Sequence, residues 1–345
     1  MSAQAEGPHT PWSRLVVVGI ALAAVLAAIV LAFLWPTITA SVKDLPIAIA
    51  GPSAQVSQLE DGLDERSPGI FEVAAVDDRD AAVDLIETRE AYGAIVLGQQ
   101  PEVLVSSAAS PIVAQLLGSL APVLQAQLAA AAAAQGIVPP APISVEVSDV
   151  VPLASTDARG TALAASSFPL LLGGMLGGIA ISVGVMGVWR RVTALLVYAL
   201  AGGFGLAGIM QGWFGALQGD YVVNAAAVSL ALLAIGGVIV GLASVMGRPG
   251  IAVGPILFLL VANPIASAAQ PLEFLAEPWG AIGQWFPPGA AVTLLRELSY
   301  FPRADMLFPW LVLAVWAVAG LLLSVLGHYR ERGAATSAAP EEAAA

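Results

Sequence analysis

The side chains of this chain that could do chemistry are carboxylates and arginines, and they fall into a few short clusters. The densest acidic clusters are Asp77-Asp78-Arg79-Asp80 and Glu60-Asp61. Both lie at predicted helix starts, where the positive end of the helix dipole stabilises a carboxylate. We interpret them as helix caps and solubilising groups, and a metal site or acid/base catalysis is the alternative.

Residue types needed for other common chemistries are missing from the sequence. The chain has no cysteine, and its two histidines, His9 and His328, lie near its two ends. It contains no GxxxxGKS/T phosphate loop, no GxSxG nucleophile elbow and no HExxH pair. The sequence therefore predicts a protein that is not an enzyme and that needs no cofactor or metal ion.

The composition is that of a membrane protein. Hydrophobic residues make up 58% of the chain and charged residues only 11%, against about 25% charged in a soluble domain. We therefore predict a polytopic α-helical membrane protein. Six apolar runs are long enough to cross a bilayer as helices, at 15–34, 167–188, 192–210, 222–246, 251–269 and 306–326. The first run is too long for a cleaved signal peptide and lacks its small-residue cleavage pattern, so we expect a retained anchor.

Arginines beside these runs predict the orientation in the membrane. If the N-terminus is inside, six arginines flank the spans on the cytoplasmic side, as the positive-inside rule expects: Arg14, Arg190, Arg191, Arg248, Arg330 and Arg332. We predict a multi-pass protein of the cell membrane with both termini in the cytoplasm.

The segment 36–165, between the first and second spans, predicts a mixed α/β domain outside the cytoplasm. Short β-branched runs at 45–50, 71–76, 92–97, 103–106 and 143–147 alternate with helical stretches at 53–63, 78–90 and 110–135. We expect a two-layer domain that folds by itself. Most of the net charge of −12 lies here, so nucleic acid, which needs a basic surface, is not an expected partner.

The predicted organisation thus has four parts. Residues 1–35 are a cytoplasmic N-terminus and the first span, 36–165 the α/β domain, 166–328 a five-helix membrane domain, and 329–345 a cytoplasmic tail. Membrane lipid is therefore an expected partner.

Glycines in the spans predict where helix backbones approach each other closely. Six of them occur as pairs four residues apart: Gly174 and Gly178, Gly208 and Gly212, and Gly237 and Gly241. Such spacing favours helix packing within one chain, and contact between two copies in a homodimer is the alternative. The spans contain no acid, lysine or histidine, which disfavours a proton relay.

The segment 262–303 is too polar and proline-rich to span, yet too apolar for a free loop. Pro264, Pro287 and Pro288 would each break a helix, while Trp279 and Trp285 suit a membrane interface. We predict a re-entrant hairpin at about 270–303, with an interfacial lid that has no role in transport as the alternative. Within it, Arg296 is expected to pair with Glu273 or Glu277, or to meet the headgroup of a substrate.

This layout resembles that of the ABC type-2 exporter permeases, and is most similar to their phage-infection-protein (Pip)-like relatives. The resemblance rests on LPIAIAG at 45–51, EAYGAIVLG at 90–98, NPIASAA at 263–269 and WFPPGAAVTLLRE at 285–297. It implies gate-region roles for the residues matched in the last two motifs: Asn263, Pro264, Pro287, Pro288, Gly289 and Arg296.

The resemblance also implies a function and partners. The expected protein is a homodimeric permease that moves a hydrophobic or amphipathic substrate outward and is powered by a separate ATPase subunit. Arg190, Arg191 and Arg248 are the expected contacts with an acidic surface of that ATPase. The alternative is a membrane scaffold or receptor without transport activity, whose α/β domain binds an envelope component or a partner protein.

Overall fold

A computed structural model of the chain describes residues 11–98, 100–134 and 143–342, with side chains described as far as Tyr329. Residues 1–10, which include His9, lie outside the described residues, as do Gln99, 135–142, 343–345 and the side chains of Arg330 and Arg332. The predictions for His9, Arg330 and Arg332 concern those positions and stay predictions.

Five long apolar helices form a bundle. Their bounds are Trp12–Thr39 (α1), Thr161–Gly184 (α6), Val188–Ala207 (α7), Tyr221–Met246 (α8) and Leu307–Glu342 (α12). Helix α8 is the central one, since 78% of its most apolar window is buried by the others. Helix α1 is the peripheral one, with none of its window buried. Such helices agree with the predicted multi-pass helical membrane protein.

Small residues let α6 and α12 approach α8 closely. A Cβ atom added at Gly174 would lie 2.8 Å from the Ile235 side chain, and one at Gly178 would lie 2.9 Å from the backbone of Gly236. On the other side of α8, a Cβ atom at Gly241 would lie 2.5 Å from the Gly320 carbonyl oxygen. The backbones of Gly237 and Gly320 are also in contact. These glycines therefore pack helices within one chain.

The pair Gly208 and Gly212 does not pack in this way, and the prediction for it is wrong within the described chain. A Cβ atom at Gly212 would meet nothing within 4 Å, and one at Gly208 would meet only the Tyr221 hydroxyl at 3.6 Å. The reason is local, because α7 continues as a π-helix at Gly208–Trp213. The wider turn of a π-helix no longer aligns residues four apart on one face.

The predicted span at 251–269 is also wrong in its extent. Only Gly250–Ala262 is helical, as a six-residue α-helix at Gly250–Pro255 (α9) followed by a seven-residue π-helix at Ile256–Ala262. At about 1.5 Å per residue, this helix covers ~20 Å of a hydrocarbon core that is ~30 Å thick. The chain covers the remaining distance as irregular backbone, and Phe274 then packs against the strands.

Six described helices are long and apolar enough to cross a membrane, but they are not the six predicted runs. The additional one, Pro111–Ala134, is divided into Pro111–Gly118 (α4) and Ala121–Ala134 (α5). Its residues Val113, Leu117 and Leu124 are buried in the core beneath the strands. We therefore assign this helix pair to the sheet segment.

The sheet segment lies between α1 and α6. Its strands are Leu45–Ala50 (β1), Phe71–Val76 (β2), Gly93–Val96 (β3), Glu102–Val105 (β4) and Glu146–Asp149 (β5), in the sheet order β2-β1-β3-β4-β5. All neighbouring pairs are parallel except β3–β4. The helices Ser53–Arg66 (α2) and Arg79–Glu87 (α3) complete the segment, together with α4 and α5.

Local capping explains where two of these helices begin. The Asp78 side chain accepts a hydrogen bond from the Ala81 N–H at the start of α3, as a helix cap does. Ser110 does the same for the Val113 N–H of α4, with Pro111 in the first turn. By contrast, Glu60 and Asp61 lie in the middle of α2 rather than at a helix start, so that part of the interpretation is wrong.

The helices run between two ends of the bundle. We call the end beside the strands the sheet end and the opposite end the far end. Helix α1 runs towards the sheet end, because its last residue, Thr39, closely precedes β1. Helix α12 runs away from the sheet end, because Phe301, just before it, lies in the core of the sheet segment. Arg190, in the first turn of α7, and Arg248, between α8 and α9, both lie at the far end.

Candidate functional site

The segment between α8 and α12 contains broken helices. Helix α9 has Pro255 as its last residue and changes there into a π-helix, since proline has no N–H for the α-helical ladder. The π-helix ends at Ala262, and the N–H of the next residue, Asn263, donates to the Phe258 carbonyl oxygen at 2.9 Å. Pro264 follows and prevents a regular continuation.

The end of this broken helix is enclosed by the bundle. Phe258 is fully buried and packs with Leu171 of α6 and Ile239 of α8. Its ring also contacts Trp316 of α12 edge to face, with 5.6 Å between ring centroids. Ala262 at the end of the helix and Ile265 and Ala266 after it are also buried, so protein surrounds the start of the irregular backbone, as such backbone requires within a membrane.

The chain then reaches the sheet end before it turns back. Phe274 and the turn at Leu272–Phe274 lie against the sheet segment, and the Ser41 N–H donates to the Phe274 carbonyl oxygen at 3.0 Å. Beyond it a short helix, Trp279–Gly283 (α10), leads back into the bundle. Trp279 meets Trp35 of α1 edge to face at 5.9 Å, which fits two aromatic rings at a membrane interface.

Pro287 and Pro288 begin a second, half-length helix, Pro287–Tyr300 (α11), inside the bundle. Two prolines suit this first turn because its N–H groups would otherwise lack partners. A Cβ atom at Gly289 would collide with the Gly283 carbonyl oxygen, so glycine is required for the close return of the chain. Ala290, Ala291 and Leu294 then pack on α8.

Arg296 has neither of the acidic partners expected for it, so the predicted ion pair with Glu273 or Glu277 is wrong, while the contact with a substrate headgroup stays a prediction. Its Nη2 donates to the Ala268 carbonyl oxygen at 3.1 Å. Glu273 instead accepts a hydrogen bond from the Tyr92 hydroxyl at 2.9 Å, and Glu277 pairs with Lys43 at 3.2 Å. The two glutamates face the sheet segment, whereas Arg296 faces the irregular backbone after Pro264.

Glu297, next to Arg296, forms an ion pair that sequence reasoning missed. Its Oε1 lies 2.8 Å from the Nη1 of Arg89, and the side chains are 9% and 15% exposed. Arg89 lies just after α3 with a positive φ of 65°. The pair joins the sheet segment to α11, although its two residues are far apart in the sequence. No local pattern in the sequence signals it.

A hydrogen bond between Tyr92 and Glu273 forms a second polar link at the same boundary. Burial and the neighbouring Glu273 carboxylate raise the pKa of Tyr92 above its ordinary value. The hydroxyl therefore stays protonated at neutral pH and donates to the carboxylate.

The three arginines expected to contact an ATPase have different environments. Arg190 and Arg248 are exposed at the far end. Arg191 is half-buried, and its guanidinium donates to the carbonyl oxygens of Val185 at 2.7 Å and Ser182 at 3.1 Å. It satisfies free carbonyl groups at the end of α6 and so has a structural role. The contact of Arg191 with an ATPase stays a prediction.

The acidic clusters of the sheet segment lie beside two cavities. Asp77, Asp78 and Arg79 line a cavity of about 480 Å³ at the carboxyl ends of β1, β2 and β3. Glu60, Asp61 and Asp64 line one of about 320 Å³ between α2 and β2. Over the described part of the chain, no group of three His, Cys, Asp or Glu side chains could hold a metal ion.

Known proteins give no independent identification. No protein-family model, no curated protein and no solved structure matches this chain.

Proposed function

We propose that the chain is the membrane permease subunit of an ABC-type exporter that moves a hydrophobic or amphipathic substrate outward. The observation that supports this most is the pair of discontinuous helices in the bundle. One ends at Ala262 and the other begins at Pro287, and both of these residues are buried. Helices broken inside the membrane are typical of transport proteins, in which they form the substrate path.

Proposed gate residues follow from this arrangement. Asn263 and Pro264 end the first half-helix, while Pro287, Pro288 and Gly289 start the second. Arg296 lies one helix turn from the sheet end of α11, against the backbone at Ala268. Without a carboxylate partner in the described structure, it is the residue in this segment best suited to meet a polar headgroup.

The orientation and the source of energy are part of the proposal. We place the sheet end outside the cell and the far end in the cytoplasm, since Arg14, Arg190 and Arg248 all lie at the far end. The chain has no phosphate loop, so ATP hydrolysis must come from a separate subunit. Exposed Arg190 and Arg248 are the proposed contacts with it.

An affinity pull-down from membranes tests the proposal. We expect a nucleotide-binding subunit to co-purify with the chain, and the double variant Arg190→Glu/Arg248→Glu to lose it. The double variant Arg66→Glu/Arg159→Glu, an equal charge reversal at two exposed positions away from the far end, is the control and should retain it. Failure to recover any nucleotide-binding subunit with the unaltered chain would overturn the exporter proposal.

Arg296 is tested on the co-purified complex. We expect Arg296→Ala to change its rate of ATP hydrolysis while the melting temperature and abundance stay unchanged, and Arg296→Lys to restore part of the rate. A normal ATPase rate in the Arg296→Ala protein would show that Arg296 is not part of the gate.

A further inference from the structure

Strand β2 forms one edge of the sheet, and the backbone groups on its outer side have no partner among the described residues. Leu45 N–H donates to the Ile70 carbonyl oxygen at 2.8 Å, and Gly51 N–H to that of Val76 at 3.4 Å. A strand alternates the direction of its peptide groups, so Glu72 and Ala74 also bond to β1. The N–H and C=O groups of Phe71, Val73 and Ala75 therefore point to the open edge.

This edge lacks the usual features that prevent strand addition. Natural edge strands are kept short, bulged, or interrupted by proline or lysine. Strand β2 has six residues, FEVAAV, pairs without a bulge along its whole length, and carries only Glu72 as a charge. No hydrogen bond from elsewhere in the described ranges reaches the outer peptide groups. A regular open edge of this kind is suited to pairing with another extended segment.

The surroundings of the edge determine which segment would fit. The cavity of about 320 Å³ beside it has an apolar floor of Leu63, Phe71 and Val73. Its rim carries the exposed carboxylates of Glu60, Asp61 and Asp64. Side chains of a strand alternate between the two faces of a sheet, so every second residue of an added strand would face this cavity. Those residues could place an apolar side chain on the floor and cationic side chains at the rim.

A second copy of the chain fits this edge poorly. Pairing two β2 edges would bring the acidic rims and Glu72 of both copies together, and like charges across an interface oppose association. We propose that the β2 edge, with its acidic rim, binds an extended basic segment of a partner protein by strand addition. The site is independent of the proposed transport activity.

Binding of a labelled peptide to the full-length chain in detergent tests the proposal. The probe is the hexapeptide Lys-Thr-Val-Thr-Lys-Thr, in which both lysines and the valine share one face of the strand, and Glu-Thr-Val-Thr-Glu-Thr is its control. We expect only the basic peptide to bind, with its affinity falling at least about tenfold when salt rises from about 50 to 500 mM, because exposed charges are screened.

Two sets of variants separate the rim from the strand. Glu60→Gln/Asp61→Asn/Asp64→Asn should weaken binding about tenfold or more. Asp80→Asn/Glu90→Gln/Glu146→Gln, which removes the same charge away from this cavity, should not. Val73→Pro removes an outward N–H but no bond to β1 and should abolish binding, whereas Val73→Thr retains the N–H and should bind.

Hydrogen–deuterium exchange provides a readout that does not depend on the proline variant folding. The bound peptide should slow exchange in the 71–76 segment of the unaltered chain. Equal binding of both peptides, no binding of the basic one, or protection confined to other segments would overturn the proposal. Self-association of the chain that Val73→Pro abolishes would instead identify a second copy as the occupant.

Discussion

Arg89 and Glu297 form a largely buried ion pair with 2.8 Å between nitrogen and oxygen, although 208 residues separate them in the sequence. Arg89 follows a helix of the sheet segment, and Glu297 belongs to a half-length helix of the bundle. The sheet segment is thus connected directly to the segment proposed as the gate. A movement of the sheet segment or of α11 would therefore change the surroundings of these two charged side chains, which are shielded from water.

We expect Arg89→Ala to lower the free energy of unfolding by about 3–5 kcal/mol, because it leaves the Glu297 carboxylate buried without its partner. Adding Glu297→Gln should recover part of this loss. Thermal or denaturant unfolding in detergent measures both variants. Arg303→Ala, which removes an exposed pair with Asp84 and Glu87, is the control and should have a much smaller effect. Equal effects of the two arginine variants would contradict the buried role of Arg89.

Phe301 is fully buried in the core of the sheet segment, with Phe274 beside it in the same cluster. Both belong to the chain after α8. We expect Phe301→Ala to cost about 3–5 kcal/mol through the cavity it leaves. The isolated fragment 45–149 lacks both phenylalanines, so we expect it to fold by itself but to melt at a lower temperature than the full chain. Circular dichroism of the fragment and of the full chain tests this, and a fragment that melts at or above the temperature of the full chain would contradict it.

The free energy of unfolding should fall in acid, partly because protonation of Glu102 removes its ion pair with Arg79. The hydrogen bond from Arg79 holds the pKa of Glu102 below its ordinary value. Because the folded-state pKa lies below the unfolded value of about 4.3, the pair stabilises the fold above that pH and loses this effect as pH falls further. Melting temperatures between pH 7 and pH 3 measure it. The Glu102→Gln protein should lose less stability over the acid range than the unaltered chain.

Gly320→Ala should destabilise the bundle by about 1–3 kcal/mol, since the added methyl group would meet the backbone of Gly237 in α8. Gly212→Ala is the matched control, because open space surrounds that position. The difference in melting temperature between the two variants is the measurement. A larger effect at Gly212 would indicate a contact with a second copy.

Single cysteines in this cysteine-free chain test the proposed orientation. Ser57 is exposed on the sheet segment and Arg248 is exposed at the far end, whereas Ser244 is too buried to label. An impermeant maleimide added to intact cells should label Ser57→Cys but not Arg248→Cys. The reverse result would invert the proposed topology.

Much of the secondary structure could be predicted from the sequence because its causes are local. The apolar runs at 167–188 and 222–246 largely coincide with α6 and α8, and strands β1 and β2 have their predicted bounds. Asp78 and Ser110 were predictable as helix caps, since a cap depends only on residues within one turn. The glycine pair Gly174 and Gly178 was predictable for a similar reason, because α-helical spacing alone places both on one face.

Only the tertiary structure decided how the candidate site is arranged. The sequence placed Arg296, Glu273 and Glu277 in one segment, but the sheet segment supplies Tyr92 and Lys43 as partners of the two acids. It also supplies Arg89 to Glu297. Charge alone does not select between partners, because an ion pair forms only where the fold brings two side chains within about 4 Å. That proximity depends on how α3, α11 and the strands pack together, and no pattern within a single segment records it.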